Sequence, residues 1–290
     1  SKAISDEVLI NGENFEYNKR LNILTAKNKV KIIDKVQDVI IFSEDITYKQ
    51  NEEIIFSKGK TISEIKTKYQ FVSEDVLFSR NEMILTSENK TNIKDDSKNH
   101  YSLDKFNYFI KDKKLKGENI LVTTNFNLPK SDKLYFKNGF FNLETKEYLA
   151  SDTKIELHPD LFGKKDNNPR IYGISSNSKK GVTSIKKATF TSCKFREDDC
   201  PPWSINAKEI KHDKNKKQLI YDSAILKVYD VPVLYFPKFF HPDPSVERQS
   251  GFLKPQINNS NELGDSLHVP YFYVISENKD LTFKPTLFDK

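Results

Sequence analysis

The sequence predicts an all-β protein, and three observations support this fold class. Short apolar and aromatic motifs recur about every 30 residues through the N-terminal part of the chain. Near the C-terminus, apolar residues occupy every second position, which is the period of a β-strand with one apolar face. The 21 Phe and 13 Tyr residues, in a chain that is 37% hydrophobic, favour strands over helices. The 290 residues suffice for one large domain or two modest domains.

The N-terminal repeat begins with a motif whose first and third positions are apolar or aromatic, with His or Asn as the third residue in two cases. It recurs at intervals of 31, 30, 30 and 34 residues and then once more, at Phe15–Tyr17, Ile46–Tyr48, Val76–Phe78, Phe106–Tyr108, Phe140–Asn142 and Ile210–His212. A second apolar residue follows each start by eight or nine positions, at Ile23, Ile54, Ile84, Leu115, Tyr148 and Leu219. Polar stretches such as Asn18–Arg20 lie between the two positions and predict hairpin turns.

A fixed period made of short strands indicates stacked units, none of which can bury its apolar side alone. We therefore expect two β-sheets folded toward each other along the stack. The interior is either fully packed, as in a structural solenoid or sandwich, or partly open as an apolar groove. The candidate groove residues are Phe15, Ile23, Ile46, Ile54, Val76, Ile84, Phe106, Leu115, Phe140 and Ile210. The periodicity does not determine which strand face points inward.

The last forty residues predict further strands. Apolar residues alternate at Leu267, Val269, Tyr271, Tyr273 and Ile275, and again after the polar turn 276–280 at Leu281, Phe283 and Leu287. Aromatic-rich segments of about ten residues fit transmembrane β-strands, and a soluble hairpin fits the same pattern. A membrane barrel needs about eight strands or more, because unpaired edges are costly in lipid. Only two or three strands fit between Gly251 and Lys290, so we expect only the beginning of such a barrel.

The net charge of +6 is modest for this length. The lysine pairs Lys179–Lys180, Lys186–Lys187 and Lys216–Lys217 are candidates for contact with anionic lipid phosphates, and ordinary solvated surface is the alternative. Basic and aromatic residues form no shared stripe, which argues against nucleic-acid binding. No apolar run reaches the ~18 residues of a membrane helix. The chain begins at Ser1 without a signal segment, so we expect a mature form or a trimmed start.

Three histidines have a carboxylate close by in the sequence: His158 with Asp160, His212 with Asp213, and His241 with Asp243. Each pair falls at a predicted turn or strand end, and no nucleophile or third metal ligand lies near it in the sequence. We therefore expect no enzymatic activity, no metal site and no cofactor.

The C-terminal third carries motifs that resemble the LptD (OstA) family. They are Val231–Val233, Tyr235–Pro237, Arg248–Pro255, Pro270–Tyr273, Asn278–Thr282 and Pro285. The likeness is specific over about residues 190–290 and looser upstream. Members of this family are outer-membrane proteins that deliver lipopolysaccharide to the cell surface of Gram-negative bacteria. The resemblance implies a periplasmic β-jellyroll over residues 1–230, and over 231–290 a linker with the first strands of a truncated transmembrane β-barrel.

The resemblance also implies partners. The V-shaped jellyroll would accept the acyl chains of lipid A from a periplasmic bridge protein of the same fold (LptA-like), joined by strand addition at the N-terminal edge. Our candidates for that edge are Val8–Ile10 and Val30–Ile33. An outer-membrane lipoprotein (LptE-like) would plug the barrel, and this portion of the chain would be mainly periplasmic. The alternative is a structural or adhesive β-solenoid that binds protein or glycan on its outer surface.

Pro255 and Pro270 are the candidate lateral gate. Proline lacks the N–H that a strand donates to its neighbour, so it weakens pairing by about 1 kcal/mol per lost hydrogen bond. The resemblance implies that prolines at these places weaken the barrel seam, through which the lipid leaves sideways. The alternative is that both prolines mark strand ends or turns.

Cys193 and Cys200 are the disulfide candidates. With two thiols and no His at ligand spacing, a zinc site is not expected. In an exported protein a disulfide is the default, and a local bridge would stabilise this short loop by about 2 to 3 kcal/mol. The LptD resemblance implies instead that cysteines at this junction pair with cysteines of the barrel. We favour the local bridge.

Overall fold

The computed structural model describes residues 2–4, 7–128, 131–158, 168–194, 201–242, 250–253, 256–260 and 264–288. Within these ranges every regular element is a β-strand, which confirms the predicted all-β class. The described residues contain no helix that is long and apolar enough to cross a membrane.

Twenty strands are hydrogen-bonded into one continuous antiparallel system. They are β1 Lys2–Ile4, β2 Val8–Asn11, β3 Asn14–Asn18, β4 Ile23–Asp34, β5 Val39–Lys49, β6 Ile54–Ile65, β7 Tyr69–Glu74, β8 Leu77–Ser79, β9 Ile84–Ser87, β10 Thr91–Lys94, β11 His100–Leu103, β12 Lys105–Phe109, β13 Lys114–Thr123, β14 Lys133–Asn142, β15 Tyr148–Glu156, β16 Arg170–Lys179, β17 Val182–Thr191, β18 Trp203–Asp213, β19 Gln218–Val228 and β20 Val231–Pro242.

Long strands cross from one sheet to a second, facing sheet at a bend near their middle. β6 pairs with β7 through residues 60–65 and with β8 through residues 54–56, and β13 divides in the same way between β11 and β12. At such bends the backbone φ is positive, as at Asn28 (64°), Gly59 (73°) and Asn119 (49°). Gly and Asn adopt this left-handed conformation at lower cost than most residues. They therefore mark the line along which the chain folds over.

Aromatic contacts show that the two sheets face each other. The ring centroid of Phe71 in β7 lies 5.2 Å from the centroids of both Phe106 and Tyr108 in β12, although these strands share no backbone pairing. Offset aromatic pairs at this distance stabilise a core beyond the area they bury. These residues therefore form the two facing sheets expected from the repeat, in line with the jellyroll that the resemblance implies.

Each sheet has one row of inward-facing residues that runs across its strands. In such a row, which we call a ladder, each residue pairs in register with the next residue on the neighbouring strand. The first ladder consists of Ile10, Ile32, Ile41, Ser63, Phe71, Ile93, Tyr101, Val122, Leu134, Ile155, Ile171 and Phe190. The second ladder consists of Leu24, Tyr48, Ile55, Phe78, Leu85, Tyr108, Leu115, Phe141, Tyr148, Ser178, Thr183, His212 and Leu219. Because side chains alternate along a strand, each ladder places one residue of each of its strands in the interior.

The buried side chains form two clusters. The larger cluster extends from Val8 to Ala150 and the smaller from Ile155 to Ala224. In the larger cluster Phe78, Leu85 and Ile93 are 0% exposed. Protein interiors are closely packed, so a chain binding among these buried side chains would have to move the sheets apart. These burials favour the packed alternative for the N-terminal part of the two-sheet stack.

Arg80 closes the mouth between the two sheets in this N-terminal part. Its buried guanidinium donates to Asp34 (2.6 Å) and to Glu7 (2.8 Å) of the first sheet, and to the Tyr48 hydroxyl (3.1 Å) and Glu53 of the second. Burial lowers the pKa of Arg80, but the bonds to Asp34 and Glu7 outweigh it and hold the pKa above its ordinary value. The charge is thus permanently present and joins the two lips of the fold.

The jellyroll continues past the predicted boundary at residue 230. β20 pairs with β19 from Val231 to Pro242. Among the described residues β20 has no partner on its other side. Pro232 and Pro237 fit this position, because an edge strand tolerates residues that cannot donate a backbone hydrogen bond.

After β20 the described residues form two three-stranded sheets. One contains β21 Gly251–Phe252, β24 Tyr271–Ser276 and β25 Lys279–Phe283, and the other contains β22 Gln256–Ser260, β23 Gly264–His268 and β26 Thr286–Phe288. Two backbone hydrogen bonds lie between the paired segments, from Leu253 N to the Pro270 oxygen (2.8 Å) and from Val269 N to the Pro285 oxygen (3.3 Å). The two sheets thus adjoin each other at Pro270 and Pro285.

Candidate functional site

A cavity of about 430 Å³ lies between the two core clusters. Its apolar wall is formed by Val122, Leu134, Phe136, Phe141, Tyr148, Ile155, Leu157, Ile171, Ile185 and Leu219. Its polar rim is formed by Ser97, Asn99, Thr124, Asn125 and Asp132 on the first sheet and by Asn142, Lys146, Ser178, Thr183, His212 and Lys214 on the second. The volume is within the range of about 300–1,000 Å³ that small-molecule sites occupy.

The cavity exists because the side chains of the second ladder become smaller at this point. Its members before this point include Phe141 and Tyr148, whereas the next two are Ser178 and Thr183. These two hydroxyl residues satisfy each other, with Thr183 Oγ1 donating to Ser178 Oγ at 3.1 Å. The facing wall stays apolar through Leu134, Ile155 and Ile171. Small polar side chains opposite large apolar ones leave a space between the sheets. One side of this space is apolar, and the other side carries groups that can form hydrogen bonds.

Tyr148 lies where the packed core meets the cavity. Its ring contacts Phe136 and Phe141, with centroids 5.2 and 5.6 Å away. Its hydroxyl lies near those of Ser176 and Thr183 but has no hydrogen-bond partner among the described residues. Burial raises the pKa of Tyr148 to about 12. The phenol therefore stays protonated and offers a donor to an oxygen of a bound molecule.

An ion pair joins the two lips at the cavity rim. Lys146 Nζ, on the second sheet, lies 2.7 Å from Asp95 Oδ2 on the first. Asp95 also accepts hydrogen bonds from Asn99 and from the Tyr101 hydroxyl. Burial opposes ionisation of Asp95, but the bonds from Lys146 and Asn99 prevail and its pKa is lowered. This pair limits how far the lips can separate at the N-terminal end of the cavity.

The structure places five of the predicted groove residues deep in the interior. Ile46, Val76, Phe106, Leu115 and Ile210 are each at most 2% exposed. Phe15 is half-buried and packs against the larger cluster. None of these six is among the residues that line the cavity. In this structure they are core residues, and their role in lining a lipid groove stays a prediction.

The remaining predicted groove residues lie on the opposite strand face. Ile23, Ile54 and Ile84 each stand one position before a buried member of the second ladder. These ladder members, Leu24, Ile55 and Leu85, lie nine rather than eight positions after the first residue of their repeat motif. Phe140 is 48% exposed, and Gly139 takes the inward position beside the Phe141 ring. A shift of one residue moves a side chain to the other face of a sheet. In each repeat two inward-facing residues are nine positions apart, and Gly139 and Tyr148 keep this spacing as well. The spacing of nine is therefore the signal in the sequence that identifies the inward face.

The predicted edge strands are interior strands. Val8–Ile10 lies in β2, which pairs with β1 and β4, and Val30–Ile33 lies in β4, which pairs there with β2 and β5. Among the described residues, β1 pairs only with β2, and β3 pairs only with β4. The N-terminal edges are therefore β1 and β3.

The other predicted site residues are only partly described. Pro270 is buried, and its carbonyl accepts the bond from Leu253, whereas Pro255 lies outside the described residues. Among the described residues Cys193 forms no disulfide, and its Sγ lies 3.8 Å from the Trp203 carbonyl oxygen, whereas Cys200 lies outside the described residues. The gate and the disulfide remain predictions.

The three histidines occupy separate places. His158 N donates to Asp132 Oδ1 (3.0 Å), His212 lines the cavity, and His241 Nε2 is 2.8 Å from the Tyr221 hydroxyl. Asp160 and Asp243 lie outside the described residues. In the part of the chain that is described, no three metal-ligating side chains come together.

Comparison with known proteins gives a consistent set of relatives. No protein-family model matches the chain. The chain is 32% identical over 146 residues to the LPS-assembly protein LptD of Hahella chejuensis, which covers 50% of this chain and 17% of the relative. It is 36% identical over 106 residues to LptD of Legionella pneumophila strain Paris (37% and 12%). It is 30% identical over 175 residues to LptD of Nitrosomonas europaea (60% and 23%).

The matched regions span 12 to 23% of the length of these relatives. The relatives are named as assembly proteins, in agreement with the prediction of a non-enzymatic role. The resemblance inferred from the proline and aromatic motifs is thereby confirmed: over 37 to 60% of its length the chain is similar to proteins named LPS-assembly protein LptD.

Proposed function

We propose that this chain takes part in lipopolysaccharide transport to the cell surface and that the cavity between the two core clusters holds a lipid A acyl chain. The observation that carries the proposal is the apolar ladder of Leu134, Ile155 and Ile171 facing the small residues Ser178 and Thr183. Each buried methylene contributes about 0.8 kcal/mol. A short apolar cavity therefore binds an acyl chain firmly, while its polar rim admits a hydrated head group.

The packed core restricts where lipid binds. N-terminal to the cavity the interior is occupied by the protein's own side chains, among them Ile41, Phe71 and Phe78. A chain entering this region must separate lips that Arg80 and Lys146 hold together. We infer that the cavity is the resting position of the lipid and that the N-terminal part opens only when an incoming molecule forces the sheets apart.

The partners follow from the family. A bridge protein of the same fold (LptA-like) would add its strands to the free edges of β1 and β3. At the other end, Pro255 and Pro270 would weaken the barrel seam for sideways release, with a lipoprotein plug (LptE-like) in the barrel. With these partners the protein would act at the outer membrane, with the jellyroll in the periplasm.

Filling the cavity tests the proposal. Leu134→Trp and Leu157→Trp place larger side chains in the cavity wall, whereas Leu149→Trp makes the same change at a 60% exposed position. We expect the two cavity variants to bind lipopolysaccharide at least about tenfold more weakly than Leu149→Trp, with unfolding transitions compared to exclude misfolding. Equal affinity of all three folded variants would contradict lipid binding in the cavity.

The alternative, a structural or adhesive β-solenoid, is favoured by the closed N-terminal core alone. It predicts that no folded variant binds lipopolysaccharide above background.

A further inference from the structure

Two turns of the second sheet meet beside the cavity. They are 179–181, between β16 and β17, and 213–217, between β18 and β19. Lys214 N donates to the Gly181 oxygen, and Asn215 Nδ2 donates to the Lys180 oxygen, both at 3.0 Å. A side chain at Gly181, where φ is +79°, would come within 3.0 Å of the Asn215 amide. Glycine therefore permits the contact that fixes the two turns side by side.

These turns bring together two lysine pairs that are far apart in the sequence. We call Lys179, Lys180, Lys214, Lys216 and Lys217 the lysine patch; all five are exposed. None of them forms an ion pair with a carboxylate of the described residues. By contrast, Lys186 and Lys211, further along the same strands, both pair with Glu209, at 2.8 and 3.2 Å.

Two carboxylates beside the patch, Asp213 and Glu147, accept hydrogen bonds from the backbone of the turns. Asp213 Oδ1 accepts from the N–H groups of Asn215 and Lys216, both at 3.0 Å, and Asp213 is only 9% exposed. Glu147 Oε1 accepts from Lys180 N at 3.3 Å. These bonds hold the turns in place, and they leave five ammonium groups facing solvent. Exposed ammonium groups on two adjoining turns form a positively charged surface that attracts anions.

The patch adjoins the cavity rim. Lys214 is itself a rim residue, and Ser178 and Thr183, which flank the first turn, are members of the second ladder at the rim. A molecule with its chain between the sheets therefore has its polar end beside the patch. Lysine binds phosphate as a compact point charge with three donors.

We propose that the lysine patch binds a phosphate group of the amphiphile whose acyl chain occupies the cavity. This inference rests on the proposed function, and it adds the head-group site: the acyl chain is held without chemical selectivity, and the patch selects phosphorylated lipids. It also fixes the polarity of the bound molecule, with the phosphate at the turns and the chain toward Leu134 and Ile171.

The test compares two ligands of the same acyl composition, bisphosphorylated lipid A and chemically dephosphorylated lipid A. The test variant is Lys179→Glu with Lys216→Glu, neither of which is in the cavity wall. The matched control is Lys137→Glu with Lys187→Glu, which makes the same charge change at exposed positions on the bends. We expect the unmodified chain to prefer the phosphorylated lipid at least about tenfold, and the preference to disappear in the test variant alone.

Each other outcome overturns the inference. Equal binding of the two lipids by the unmodified chain, or an equal loss in both double variants, would exclude a specific phosphate site while leaving the cavity proposal intact. Displacement of lipid A by an equal concentration of inorganic phosphate would assign the patch to free anions. Failure of the unmodified chain to bind even dephosphorylated lipid would contradict both the cavity proposal and this one.

Discussion

Asp95 Oδ2 and Lys146 Nζ lie 2.7 Å apart and join the two sheets at the cavity rim. The Asp95 side chain is fully buried, whereas Lys146 is 36% exposed. Hydrogen bonds from Asn99 and Tyr101 complete the surroundings of the carboxylate. The pair is thus an anchored clamp, because the carboxylate is fixed in the first sheet and the ammonium reaches it from the second.

The clamp predicts how stability depends on pH. The pKa of Asp95 is lowered in the folded state from an ordinary value of 3.8, so its ionised form stabilises the fold above that value. This stabilisation is lost as pH falls below 3.8 through the folded-state pKa. We expect Asp95→Asn to cost about 1.5 to 3 kcal/mol at pH 7. Urea unfolding between pH 7 and pH 2 should show the two proteins converging at low pH; a constant difference would contradict the clamp.

A second prediction concerns Arg80. Replacing it with Met leaves the buried Asp34 carboxylate without its partner, and breaking a buried pair costs about 3 to 5 kcal/mol. The control is Lys29→Met, since the Lys29–Glu13 pair is largely exposed and its loss costs less than about 1 kcal/mol. Unfolding free energies of the two variants measure the difference. Similar values would show that Arg80 does not lock the mouth.

A third prediction tests which strand face is inward. Ile55 is 1% exposed on the second ladder, whereas its neighbour Ile54 lies on the outer face. Ile55→Ala should lower the free energy of unfolding by about 2 to 5 kcal/mol because it creates a cavity in a packed core. Ile54→Ala makes the same chemical change and should cost clearly less. A larger loss of stability for Ile54→Ala than for Ile55→Ala, in thermal or urea unfolding, would contradict the assignment of Ile55 to the inward face.

The fold was largely predictable from local patterns, whereas the cavity was not. The 30-residue repeat indicated two facing sheets, because repeated short strands form stacked units that can bury their apolar sides only against each other. The inward face was missed at Ile23, Ile54 and Ile84, since apolar residues stand on both faces there and only the offset of nine separates them. Gly139 broke the pattern because a small residue was needed beside Phe141.

The position of the cavity depends on which residues become register partners over long distances. Ser178 and Thr183 are ordinary strand residues in the sequence, and their effect appears only when Leu134 and Ile171 face them. The lysine patch likewise joins turns more than thirty residues apart, since Asn215 reaches the Lys180 carbonyl. Such pairings follow from the whole stack of strands, and no local motif specifies them.

Lipid binding in the cavity is tested most directly by photocrosslinking to lipopolysaccharide in cells, with the probe incorporated in turn at Leu134, Ile171, Phe106 and Leu149. Leu134 and Ile171 line the cavity, Phe106 lies in the packed core, and Leu149 faces solvent. We predict strong labelling at Leu134 and Ile171, weaker labelling at Phe106 that requires active transport, and none at Leu149. Labelling at Leu149 as strong as in the cavity, or no labelling at Leu134 and Ile171 in the folded protein, would contradict the account.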